Sequence, residues 1–298
     1  MREEHSPQIE GKKLLWVTLL NITITIAQTV GGFLSNSLAL LSDALHNLGD
    51  TFAVFIAYIA HRVSKRETNS KKTFGYKRIE ILAALLNAVI LIGICIYLFI
   101  EAYHRFFDPS PVKGLLMLIV AIIGLLVNLY SVVILHKDAG KNINIKAAYV
   151  HLIGDTLSSF VVIIGGILIY FFSIYWVDPL ITILIGIYIL KEAFHILKQT
   201  VEILMQFTPS GLDIQKIKSR LEAISNINNV HHIHAWNLSD QDIHFECHAD
   251  LNKDLHVSEA DNIRFNMEKV LINEFNINHV TIQIEYKCCD NTSMVTSR

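Results

Sequence analysis

The chain has 298 residues, of which 52% are hydrophobic and 17% charged, with a formal net charge of −2. Soluble domains carry roughly 25% charged residues, so these proportions exclude an ordinary soluble globule. The near-neutral balance also excludes the basic footprint that nucleic-acid binding needs.

The apolar residues sit in long runs, and a helix crossing hydrocarbon needs about 20 of them. The N-terminal stretch MREEHSPQIEGKK contains acidic residues and leads into an apolar run without a small-residue cleavage site, so residues 1–13 are expected to form a cytoplasmic tail before a retained span. Runs of spanning size follow near 14–33, 39–61, 80–103, 114–136, 146–172 and 177–197, which predicts six spans. Ser35-Asn36-Ser37 makes a short turn between the first two, and Asp108-Pro109-Ser110-Pro111 separates the third from the fourth. The 62–79 loop carries Arg62, Lys65, Arg66, Lys71, Lys72, Lys77 and Arg78, and the 136–146 loop carries Lys137, Lys141 and Lys146. Only Arg105 and Lys113 lie on the other side. Basic loops stay in the cytoplasm, so both termini are expected there.

From about residue 206 the texture is that of soluble protein. A helix begins after Thr208-Pro209-Ser210-Gly211 and carries Ile214, Ile217, Leu221 and Ile224. Alternating stretches near 230–237 and 242–251, a helix over 257–274 and a strand near 279–286 complete an α-β-β-α-β order, which fits an open-faced α+β sandwich. The expected organisation is a membrane domain over 14–205, a cytoplasmic domain over 206–287 and a flexible tail over 288–298.

The second span contains Asp43, His46 and Asp50, and the fifth contains His151 and Asp155. Ionisable groups within a bilayer are costly and mark function by default. His46 and Asp50 are four residues apart, as are His151 and Asp155. That spacing puts each imidazole and its carboxylate on one helix face. Two such faces offer two nitrogens and two oxygens, a shell suited to zinc; imidazole turns preference away from Mg²⁺ and Ca²⁺. One histidine in a span is commonly a helix-to-helix hydrogen bond, but two His-x-x-x-Asp sets without a nearby cation are hard to account for that way. Asp43 lies one turn before His46 and could cap its helix, line the pathway or bind protons.

The segments SNSLALLSDALHNLGD, FGYKRIEILAALLNAVILI and NIKAAYVHLIGDTLSSFVVIIGGILI resemble the second, third and fifth transmembrane helices of the cation diffusion facilitator family, and VHHIHAW resembles the opening of its cytoplasmic domain. The likeness covers nearly the whole chain and is greatest to the zinc-efflux branch. It implies an α-helical membrane protein with six transmembrane helices plus a small C-terminal α+β cytoplasmic domain (αββαβ, metallochaperone-like). It further implies a homodimer in the cell membrane of a bacterium, exchanging Zn²⁺ for protons, with His46, Asp50, His151 and Asp155 as the transport site. Some relatives bind a further metal between spans two and three. Here Asn69, Lys72, Tyr76 and Lys77 stand where ligands would be needed, so no metal is expected there.

Seven histidines fall between His231 and His279. On alternation alone His231 shares a strand face with Ile233, while His232 and His234 take the other. The resemblance implies a binuclear regulatory zinc site at His231, His248, Asp261 and Glu285, with Gln283 where some relatives have a ligand histidine. Cys288 and Cys289 could add soft ligands, although adjacent cysteines are awkward for one metal.

The expected function is efflux of a divalent metal, zinc foremost and Cd²⁺ or Co²⁺ besides, by a transporter that is not an enzyme. Two rivals come from other classes. A membrane-anchored metal sensor would leave the paired intramembrane ligands without purpose. An intramembrane metallohydrolase would need an open zinc position and a general base, and the chain has no HExxH motif.

Overall fold

A computed structural model describes residues 7–136, 143–240, 242–287 and 293–294. It divides into two compact units, one of residues up to 59 together with 83–197, the other of residues 60–82 together with 198–298. Six long helices come first: α1 (Pro7–Ser35), α2 (Leu38–Ser64), α3 (Ile79–Phe107), α4 (Gly114–His136), α5 (Ile143–Phe172) and α6 (Val177–Leu204). The shortest has 23 residues, which at about 1.5 Å per residue exceeds the ~30 Å of hydrocarbon. Five of them, all but α2, are long and apolar enough to cross a membrane. Helix α2 has 27 residues, and what sets it apart is the polar set Asp43, His46, Asn47 and Asp50 in its first half. Phe33, Phe55, Leu126 and Phe171 are among many large apolar side chains turned outward, the inverse of a soluble protein's surface and a fit to lipid.

The N-terminal end of α2 is pinned from another span. Asn36 takes φ 59° in the turn after α1, and the Ser37 hydroxyl accepts from Leu40 N at 3.1 Å. The buried Asp178 carboxylate, in the first turn of α6, accepts from Leu38 N at 2.7 Å, Ala39 N at 3.2 Å and the Ser37 hydroxyl at 2.6 Å. These contacts satisfy N–H groups that every helix start leaves without partners. Asp43, which could have capped this helix, does not. Helices α4 and α5 meet closely: a Cβ on Gly114 would lie 2.8 Å from Tyr170 N, and one on Gly166 would lie 3.3 Å from Leu118 Cα. Small residues permit such approach in membranes, where packing replaces the hydrophobic drive.

In the second unit, α7 (Ile214–Glu222), β1 (Ile227–Asn237), β2 (Ile243–Leu251), α8 (Val257–Phe275) and β3 (His279–Glu285) follow the expected order. The sheet order is β1-β2-β3, antiparallel between β1 and β2 and parallel between β2 and β3. Asp213 caps α7 by accepting from Lys216 N. Ile217 and Leu221 of α7 join Phe245 and Cys247 of β2 and Met267 and Leu271 of α8 in one core, each large side chain contributing about 1.5–3 kcal/mol on burial. Strand β1 breaks alternation: its register shifts between His231 and His234, and His232 has φ 48°. Val230, Ile233 and Ala235 enter the core, so the bulge turns His231 away from the face of Ile233, contrary to the simple alternation. An extra residue in one strand has this effect. Beside β1, Ile233 N donates to Met294 O at 2.8 Å. Apart from Ser293 and Met294, the expected tail over 288–298, with Cys288 and Cys289, lies outside the described residues.

Candidate metal-transport site

The two His-x-x-x-Asp sets converge. His46 Nδ1 lies 3.5 Å from Asp50 Oδ2 and His46 Nε2 lies 3.6 Å from Asp155 Oδ1. His151 Nε2 lies 3.3 Å from Asp50 Oδ2 and 3.5 Å from Asp155 Oδ2. A tetrahedral shell with bonds near 2.0–2.1 Å has edges of about 3.3 Å, and the two cross-helix separations of 3.3 and 3.6 Å are close to that. One donor atom from each of His46, His151 and Asp155 lies within 4.8 Å of the others, with Asp50 Oδ2 beside His151. Both nitrogens of His46, Oδ2 of Asp50 and both oxygens of Asp155 are buried without a hydrogen bond. Leaving such atoms unmet costs about 1–3 kcal/mol each, and a cation held by one nitrogen of His46 and by the carboxylate oxygens would offset much of that cost.

Access is uneven. The side chains of His46 and Asp155 are 4% and 1% exposed, those of His151 and Asp50 36% and 31%. Asp50 stands one turn nearer the C-terminal end of α2 than His46, and His151 one turn nearer the N-terminal end of α5 than Asp155. The opening thus faces the ends of these helices that adjoin the basic loops.

Asp43 is buried but not a member of the shell. Its carboxylate accepts from Gln28 Nε2 at 2.7 Å, from Ser159 Oγ at 3.3 Å and from Ser158 Oγ. Asn47 Nδ2 in turn donates to Gln28 Oε1 at 3.1 Å. Neutral donors already occupy this carboxylate, whereas the four shell residues face one another.

Helix α6 adds two residues that sequence reasoning missed. The Tyr188 ring packs edge-on against His46 at 5.9 Å. Glu192, one turn further along α6, faces the Tyr188 hydroxyl and acts electrostatically on His151. The available signal was an acidic residue inside the sixth apolar run.

In the second unit a further cluster forms on the sheet face opposite the core. His248 Nδ1 lies 2.7 Å from Glu285 Oε1, and His231 Nε2 lies 3.4 Å from Glu285 Oε2. His232, which the bulge swings inward, has its ring 5.0 Å from that of His231 and 4.7 Å from that of His248. Donor atoms of the three histidines all lie within 4.8 Å of one another. Burial holds the His231 imidazole below its usual range, with the Glu285 carboxylate opposing. Asp261 is not brought here: it sits on α8, 63% exposed and 2.8 Å from Arg264 Nε. Gln283 Nε2 donates to Glu285 Oε1 at 2.7 Å. Cys247 belongs to the core, and burial pushes its thiol up to about 12, which keeps it protonated and a poor ligand. In the 62–79 loop, Asn69 Oδ1 accepts from Lys71 N and Lys72 N, and the Lys72 ammonium donates to the Tyr76 hydroxyl.

An apolar helical unit enclosing facing imidazoles and carboxylates defines a membrane cation transporter. The chain belongs to the cation efflux family: the model of that family's transmembrane domain matches residues 14–205, and the model of its cytoplasmic domain matches residues 209–287. It is 41% identical to the cadmium, cobalt and zinc/H⁺-K⁺ antiporter of Bacillus subtilis (strain 168), over 92% of this chain and 89% of that protein. It is 37% identical to the metal cation efflux system protein CzcD of Cupriavidus metallidurans, over 90% and 84% of the two chains. It is 36% identical to the zinc transporter ZitB of Escherichia coli (strain K12), over 96% and 91%. The chain is accordingly a secondary transporter and not an enzyme.

Proposed function

We propose that the protein exports Zn²⁺ from the cytoplasm in exchange for protons, with His46, Asp50, His151 and Asp155 as the four ligands of the transported ion. The observation that carries this reading is the pair of cross-helix separations, 3.6 Å between His46 and Asp155 and 3.3 Å between His151 and Asp50, beside buried atoms of His46, Asp50 and Asp155 that make no hydrogen bond. Two imidazoles and two carboxylates favour zinc among common divalent ions, and leave Cd²⁺ and Co²⁺ as secondary substrates. Relatives named for zinc, cadmium and cobalt point the same way.

Zinc sheds its water as it enters the shell from the side of Asp50 and His151. The helices then rock to open the shell outward. Ligands must be deprotonated to hold a metal, and histidine titrates near neutrality, so protons arriving from outside displace zinc and return inward. Asp43 stands behind the shell as a third carboxylate that makes the cavity more favourable to a dication without ligating it. The basic loops support a bacterial cell membrane location with both termini on its cytoplasmic side. The name of the cytoplasmic-domain model, a dimer domain, supports a homodimer. The cluster of His231, His232, His248 and Glu285 serves as a regulatory zinc site, where metal binding biases one arrangement of the domain over another by differential affinity.

The test is zinc flux in proteoliposomes with a zinc-sensitive dye inside and an imposed pH gradient. Wild type should carry zinc in proportion to the gradient, and His46→Ala with Asp155→Ala should carry none while remaining a folded dimer. Equal flux through both proteins would overturn the site.

A further inference from the structure

We infer that Glu192 of α6, held by Tyr188, is a docking carboxylate for the incoming hydrated dication at the open side of the shell. The inference rests on the four-ligand reading of the transport site. An acidic side chain within a span faces the bundle interior or a watery cavity, because lipid penalises it. Glu192 meets that expectation: it faces the Tyr188 hydroxyl and lies within electrostatic reach of His151, the most exposed of the four shell residues.

Tyr188 fixes the geometry from the other end. Its ring rests on His46 at 5.9 Å. Its hydroxyl passes so near Gly154 that a Cβ there would be 3.1 Å away. On α6 the two residues are one turn apart and share a face, with Tyr188 beside the buried member His46 and Glu192 exposed one turn nearer the C-terminal end. An exposed carboxylate on that face is available to an ion before it reaches the buried donors His46 and Asp155.

The chemistry of the two stages differs. Glu192 and Tyr188 offer only oxygen, which takes hydrated divalent ions with little discrimination. The imidazoles deeper in supply the preference for zinc. Glu192 should thus raise the local concentration of all divalent substrates alike, without altering which of them the shell retains.

Everted membrane vesicles, whose cytoplasmic face is outward, test this with Zn²⁺ and Co²⁺ in turn. Glu192→Gln should raise KM for both ions by a similar factor, about five-fold for loss of one steering charge, with Vmax kept. The rise in wild-type KM with ionic strength should flatten in the variant. Glu192→Asp should restore part of the loss. Tyr188→Phe, which keeps the ring on His46, should raise KM by about two-fold, the size expected from one neutral hydrogen-bonding group. Unchanged KM, or a fall in Vmax at unchanged KM, in a Glu192→Gln protein that is folded and dimeric would overturn the inference. If His46→Ala carried zinc as well as wild type, the four-ligand site itself would fail, which is a separate result.

Discussion

Asp50 of α2 and His151 of α5 approach to 3.3 Å, closer than either residue lies to the partner on its own helix. The shell is therefore a property of two helices held together, and an ion bound there ties them. Binding to the folded state alone stabilises by about 2.7 kcal/mol at a free ligand concentration of 100 Kd. In a His248→Ala background, which removes the second cluster, zinc should raise the thermal midpoint of the detergent-solubilised protein by several degrees. Asp50→Ala should abolish that rise. A zinc-dependent shift of equal size in the Asp50 variant would place the ion elsewhere.

Asp43 makes a contrasting case because its partners are neutral and already in place. Asp43→Asn keeps the shape and removes one carboxylate, so the four proposed ligands persist. Zinc affinity measured by competition with a chelating dye should fall about 10–100-fold, the range seen when groups that support metal ligands are changed. The stoichiometry at the shell should remain one. Loss of all binding would make Asp43 a ligand, against its bonds to Gln28 and Ser159.

Much of this arrangement was legible in the sequence, and the reasons are physical. Spacing of four on a helix fixes a shared face, so each His-Asp pair could be recognised before any packing was known. That the pairs meet depends on how α2 and α5 pack, which no local spacing encodes. The family likeness supplied it instead. Tyr188 and Glu192 went unrecognised because they come from a third helix, with no partner at helical spacing in either pair. In the soluble domain, alternation along β1 placed His231 on the wrong face because it assumed a regular strand. The bulge at His232 changes the phase, and nothing in the string VHHIHAW announces a positive φ. Asp261 was carried over by resemblance, and in this chain Arg264 engages it instead.

That difference can be tested directly. His232→Ala should lower the amount of zinc retained by the cytoplasmic cluster, or weaken it about 10-fold or more, since it removes one of three converging imidazoles. Asp261→Ala should leave zinc content per protomer unchanged when measured by elemental analysis in an Asp50→Ala background. Loss of zinc with Asp261→Ala and none with His232→Ala would restore the set implied by resemblance.

The pH response of the second unit follows from His244 and Asp242. His244 is buried against Trp236, with ring centroids 5.5 Å apart, and beside Phe74 and His279 at 5.7 and 4.6 Å. Burial, and then the neighbouring His279, hold its imidazole below the usual 6.5. The Lys77 ammonium, 2.7 Å from Asp242, holds that carboxyl below its ordinary range. Both groups bind fewer protons folded than unfolded within their windows, so stability rises with pH there. The share owed to His244 is complete above 6.5 and is lost as pH falls through its lower folded value. The share owed to Asp242 is lost only at far lower pH, so between pH 7.5 and 5.5 the local change belongs to His244. Hydrogen exchange should show the start of β2 and the segment around Phe74 opening more readily at pH 5.5 than at 7.5. His244→Phe, which cannot take up a proton, should exchange there with little dependence on pH. An equal pH dependence in wild type and variant would assign the effect to another group.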